Sequence, residues 1–198
     1  ASGWLVDPRR PPRVAGRVGC VRAPALNEAR SLRKLAWILY GSLEQRTGGT
    51  IYDRMVVSGL CALGDEVDVI SLRRDIRSAS PIVRHLARTR PDAVIGDELC
   101  FRELAEIFAR CTFTRRILLV HHLSCWEDER VPSLRAKARR AEAVALRHAD
   151  RVIATSETTR ARLVHEGHRR SPIDVVLPGC DRLALVTSPE KIVTSPIA

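Results

Sequence analysis

Residues 35–72 read LAWILYGSLEQRTGGTIYDRMVVSGLCALGDEVDVISL, and this stretch decides the fold. Leu35-Ala36-Trp37-Ile38-Leu39-Tyr40 is an apolar run of strand length, closed by Gly41. A polar loop, Gly41–Gly49, follows. Thr50–Leu63 reads as a helix, with Ile51, Met55, Gly59 and Ala62 on one stripe and Val56, Leu60 and Leu63 on its neighbour. A stripe that wide belongs to a helix packed on a sheet. Gly64 suits the C-terminal cap. Glu66–Leu72 alternates and is rich in Val and Ile, so it is a second strand. Strand, glycine loop, helix and strand in this order make a βαβ unit.

The alternation continues downstream. Pro81–Thr89 is a short helix with proline in its first turn. Ala93–Gly96 is a strand, Phe101–Arg110 a helix, Ile117–Val120 a fully apolar strand and Pro132–His148 a long helix rich in Arg and Ala. Arg151–Ala154 is a strand. Ser156 caps a helix over Glu157–Glu166, which Gly167 ends. Ile173–Leu177 is the last strand, closed by Pro178-Gly179. Short apolar strands interleaved with helices predict an α/β domain: a doubly wound, mostly parallel, Rossmann-like sheet with helices on both faces. The expected organisation is a basic, disordered leader over 1–34, the domain over 35–181, and a tail or linker remnant over 182–198.

The chain has 198 residues, 45% of them apolar, enough for one real core. Its net charge of +10 first suggests a nucleic-acid partner. However, residues 1–34 carry seven Arg and one Lys against Asp7 and Glu28, so more than half of the excess lies in the leader. No aromatic is interleaved among the leader's basic residues, from Arg9 to Lys34, it holds no recognition motif, and the remainder is a mixed, solvated surface. Six cysteines, at 20, 61, 100, 111, 125 and 180, form no C-x-x-C and fit no zinc ribbon. Reduced, mostly buried thiols are expected. Residues 1–18 lack the apolar core of a secretory signal. Uncharged apolar-rich stretches such as Leu35–Leu43 are far short of the ~20 residues that cross a bilayer. These features predict a cytoplasmic protein, whose basic leader could rest on an anionic membrane surface.

Ligands of such sheets bind at the carboxyl ends of the strands. That edge holds the loops Gly41–Gly49, Ser71–Arg74, Gly96–Glu98, His121–Cys125, Thr155–Ser156 and Pro178–Asp181. Gly48-Gly49 before a helix is either a plain turn or a place where backbone N–H groups meet an anion. It is neither G-x-G-x-x-G nor a P-loop. His121-His122, after a buried strand, are either structural or hydrogen-bonding catalytic groups. Asp97 and Glu98 are either a surface carboxylate pair or site residues. His165-Glu166-Gly167-His168 is one residue short of the zincin motif and reads as a helix end. No spacing supports a metal site, including the one imaginable from the two histidines with Cys125, Glu127 and Asp128.

Five segments in order resemble the retaining glycosyltransferases of family four. They are Gly48-Gly49 leading through the helix to Gly64-Asp65-Glu66-Val67-Asp68-Val69-Ile70, then Arg90-Pro91-Asp92-Ala93-Val94-Ile95, and the strand running into His121-His122. Ala149–Glu157 and Ile173–Asp181 complete the set. Asp65 stands where the family usually has His, read here as a surface change. The resemblance covers 35–181 and implies the N-terminal, acceptor-side half of a GT-B enzyme. The donor domain would be absent from this chain and supplied in cis or in trans, and the isolated chain would be inactive. The implied reaction moves a sugar from a nucleotide-sugar, as co-substrate, to the hydroxyl of a sugar or lipid-linked acceptor with retention. No metal or other cofactor is implied. Carried over, Gly48, Gly49 and Thr50 would bind the donor diphosphate. His122 would contact the donor sugar, with His121 as the fallback, and Asp97, Glu98 and Ser156 would line the acceptor side. The alternatives are a non-catalytic module that binds a glycan or lipid acceptor, and nucleic-acid binding through the leader.

Overall fold

The computed structural model describes residues 31–127, 131–168 and 170–179. The expected tail, the leader up to residue 30, Asp128, Cys20, and Cys180 and Asp181 of the last motif lie outside the described residues. Six strands form one all-parallel sheet: β1 (Lys34–Tyr40), β2 (Glu66–Leu72), β3 (Ala93–Asp97), β4 (Arg115–Val120), β5 (Arg151–Ala154) and β6 (Ile173–Val175). Their spatial order is β2-β1-β3-β4-β5-β6. The helices are α1 (Gly48–Ala62), α2 (Ser80–Thr89), α3 (Phe101–Arg110), α4 (Pro132–His148) and α5 (Glu157–His165). The doubly wound Rossmann-like reading therefore stands. The chain leaves β1 toward β2 on one side and returns to β3 on the other, so the topological switch point lies between β1 and β3.

Strand parity sorts the core into two unequal layers. Ala36, Ile38, Val94, Leu118, Val120 and Val152 face α2, α3, α4 and α5. Leu35, Trp37, Leu39, Ala93, Ile95 and Leu119 face α1. On the first side Leu104, Ile107 and Phe108 of α3 are fully buried. Each contributes about 1.5–3 kcal/mol relative to an exposed position. On the second side, α1 leaves a groove of about 1070 Å³ over β3–β5, lined among others by Trp37, Ile95, Phe113 and Ile117.

Two expectations are corrected. Ile51, Met55, Gly59, Ala62 and Leu63 are exposed. The face of α1 that packs on the sheet is Tyr52, Asp53, Val57 and Cys61, with Val56 and Leu60 half-buried beside it. The apolar stripe and the buried stripe differ because a carboxylate and a phenol hold core positions. Nor is Asp65 a surface change. It is 3% exposed and accepts from the backbone N–H of Arg33 and, at 3.1 and 2.6 Å, from its guanidinium. That pair anchors the chain just before β1, which opens at Lys34.

The four described cysteines, Cys61, Cys100, Cys111 and Cys125, are buried as expected. No helix among the described residues is long and apolar enough to cross a membrane.

Gly96 sits on the α3 side of β3, where an added Cβ would stand 2.4 Å from Leu104 Cδ2 and 2.5 Å from Cδ1. Leu104 is fully buried and has nowhere to retreat. We expect Gly96→Ala to destabilise the domain by about 1–3 kcal/mol, read as a lower urea midpoint at unchanged m-value.

Candidate active site

The same parity that sorts the core builds the site. Along β3, Ala93 and Ile95 face α1, and Asp97 is next on that side. Along β4, Ile117 and Leu119 face α1, and His121 follows. Asp53 enters from α1 itself, buried completely. The three converge at the carboxyl edge beside the switch point. One nitrogen or oxygen from each lies within 4.8 Å of the others. His121 Nε2 is 3.4 Å from Asp53 Oδ1, and among the described residues Asp53 Oδ2 has no hydrogen-bond partner.

His121 is held on several sides. Its ring meets Tyr52 edge-on, with centroids 5.1 Å apart. Its N–H donates to Glu98 Oε2 at 3.0 Å, and its carbonyl accepts from Thr159 Oγ1 at 3.2 Å. The Tyr52 hydroxyl in turn donates to the Val176 carbonyl at 3.0 Å. His122, next in the chain, points to the other layer. Its exposed ring packs edge-on against Trp126 at 5.3 Å, and its N–H reaches Glu98 Oε1 at 3.4 Å. Of the two histidines, His121 is thus the one beside the glycine pair: a Cβ at Gly49 would stand 3.5 Å from its Cδ2.

The start of α1 is capped through its side chains. The Thr47 hydroxyl accepts from Thr50 N–H at 3.2 Å, and Thr50 Oγ1 accepts from Thr47 N–H at 3.1 Å. Thr50 also donates to the Gln45 carbonyl and is buried, so its groups are engaged in the cap. No acceptor among the described residues takes the N–H of Gly48 or Gly49. A Cβ on Gly48 would meet nothing within 4 Å. Among the described residues, an open, positive helix end therefore faces unfilled space at the strand edge.

The acceptor-side trio is mostly occupied by the fold. Both oxygens of Glu98 hold the His121-His122 backbone. Ser156 caps α5, accepting from Thr159 N–H at 3.0 Å and pairing with the Thr159 hydroxyl. Asp97 Oδ1 accepts from Leu99 N–H at 2.8 Å, closing a short 3-10 turn over Glu98–Cys100. Burial, and then the charge of Asp53, push the Asp97 carboxyl up to about 6. Burial, and then Asp97, raise Glu98 well above the ordinary carboxylate range. A second buried glutamate, Glu142 of α4, accepts from Ser124 N–H at 2.6 Å and Cys125 N–H at 3.3 Å, fixing the rest of the β4–α4 loop.

A family model described as Glycosyltransferase Family 4 matches residues 71–182, more than half of the chain. The chain belongs to glycosyltransferase family 4. No curated protein matches it. The matched stretch contains Asp97, Glu98, His121, His122 and Ser156. The glycine pair, Thr50 and Asp53 precede it. Membership places this domain among proteins whose substrates are in general a nucleotide-sugar and an acceptor. Asp53 was the residue missed in the sequence, where with Arg54 it reads as a charged, solvent-facing pair within an otherwise mostly apolar helix. Its two neighbours, Asp97 and His121, were already candidates from the strand-end loops, and the period-2 alternation of β3 and β4 places both on the α1 side.

Removing the Glu98 side chain should orphan two backbone N–H groups at about 1–3 kcal/mol each. Glu98→Ala should lower stability accordingly and speed amide exchange at His121 and His122. Glu98→Gln, which keeps one acceptor, should do so less. Hydrogen-exchange mass spectrometry of the 119–127 segment measures both.

Proposed function

We propose that this family 4 domain is the acceptor-side half of a retaining glycosyltransferase and works with a donor-binding domain supplied in cis or in trans. The observation that carries this reading is the pairing of His121 with the open N-terminus of α1 at the switch point. The two unengaged N–H groups of Gly48 and Gly49 suit a diphosphate, and the helix dipole favours its charge. His121, locked by Tyr52 and Glu98, meets a hydroxyl of the donor sugar. In the reaction the anomeric C–O bond to the diphosphate breaks and a glycosidic bond to the acceptor oxygen forms. The acceptor's hydroxyl proton leaves with the nucleoside diphosphate.

Glu98 and Ser156 act here as scaffold, holding the loops that frame the acceptor space, and Asp97 supports His121 from the β3 side. Thr50 shapes the glycine turn instead of touching the donor. His122 lies off this line and has a secondary part.

The test is sugar transfer after complementation with a donor domain of the same family. His121→Ala should lower turnover about a hundredfold, the scale of one lost transition-state donor. His122→Ala should change it by less than about threefold, since its ring contacts Trp126 on the other layer. Gly48→Val should abolish transfer while leaving the circular dichroism spectrum intact, because its side chain would fill the space open to the diphosphate. Full activity in the His121→Ala chain would overturn this reading.

A further inference from the structure

Asp53 and Asp97 are 0% and 2% exposed. Among the described residues, no Lys or Arg pairs with either one; the sole basic neighbour is His121, at 3.4 Å from Asp53. Keeping two carboxylates out of water costs several kcal/mol each unless their charge is met. Among the described residues, no N–H or O–H donates to Asp53 Oδ2, which is fully buried. A buried carboxylate oxygen without a donor, beside a second carboxylate and an imidazole nitrogen, lacks a positive centre.

We propose that Asp53, Asp97 and His121 form a binding site for a divalent cation of the Mn2+ or Zn2+ class. The donor set is two carboxylate oxygens and one imidazole nitrogen, a mixture that suits these ions better than Ca2+ or Mg2+. The three atoms lie within 4.8 Å of one another, so small side-chain rotations bring them to metal–ligand bonds of about 2.0–2.2 Å. The surroundings resemble an outer shell: Leu99 N–H holds Asp97 Oδ1, Glu98 fixes the His121 backbone, and Tyr52 fixes its ring. His121 is 19% exposed, which leaves a path for the ion and for water in its remaining positions.

The inference does not depend on sugar transfer, although it shares His121 with the proposed sugar contact, and it departs from the metal-free chemistry that the family resemblance implies. If Nε2 ligates the cation, Nδ1 carries the ring proton and any sugar contact falls to that nitrogen.

The full chain, freed of metal with a chelator, is titrated with Mn2+ and followed by electron paramagnetic resonance, and with Zn2+ by calorimetry. We expect one ion per chain and, for Mn2+, a nitrogen coupling from one imidazole. Asp53→Asn and His121→Gln should each weaken binding at least tenfold. Asp68→Asn, which breaks the separate His85–Asp68 contact, should leave it unchanged. Failure of both ions to bind the wild-type chain overturns the proposal. So does binding without nitrogen coupling, or binding that survives Asp53→Asn and His121→Gln. If Asp53→Asn does not fold, the wild-type coupling and the His121→Gln chain decide. Binding without sugar transfer leaves this site standing and the transferase reading unsupported, whereas transfer without binding sinks only the site.

Discussion

A strand that ends at the edge of a parallel sheet must turn, and its first turning residues carry N–H groups that no neighbouring strand can take. In this domain two buried carboxylates accept them. Glu98 takes those of His121 and His122, and Glu142 takes those of Ser124 and Cys125. Buried polar groups need partners, and this requirement fixes the β4–α4 loop. With the loop fixed, the His121 ring has one place to be, against Tyr52 and above Gly49. The electrostatics follow from the same burial. Glu98, kept from water to reach the loop, stands next to Asp97, and the charge of Asp97 adds to burial in raising the cost of charging Glu98.

The architecture was legible because it rests on local periodicity. All six strands and five helices fall within a few residues of the sequence reading, since β-rich runs punctuated by Gly and Pro leave little else to form. The first helix shows the limit. Hydrophobicity alone selected Ile51, Met55, Gly59 and Ala62, yet the sheet-facing positions include Tyr52 and Asp53. A polar residue in a core stripe gives no periodic signal. Its reason for being there lies in residues 97 and 121, far along the chain.

The site was half legible. Rossmann-like topology sends the eye to strand-end loops, which is how Gly48, Gly49, Asp97, Glu98 and the two histidines came to attention. What a list of loops cannot give is engagement. Thr50, Ser156 and Glu98 are placed where a ligand could be, but their hydrogen-bonding groups are already used by caps and backbone. Only the three-dimensional partners separate such residues from Gly48, Gly49 and His121.

The two adjacent histidines have one more consequence, for how this loop tolerates insertions and deletions. Along β4 the side chains alternate between layers, so neighbouring residues at its exit face opposite worlds: His121 the buried carboxylates, His122 the indole of Trp126. A one-residue slip of the strand exchanges the faces of every side chain it carries. At this exit alone, a slip that draws the chain back by one position, toward the start of the strand, would still present an imidazole to Asp53. The chemical identity at that point is therefore kept for a slip in that one direction, whereas the opposite slip presents Val120, and the apolar residues behind it change faces either way.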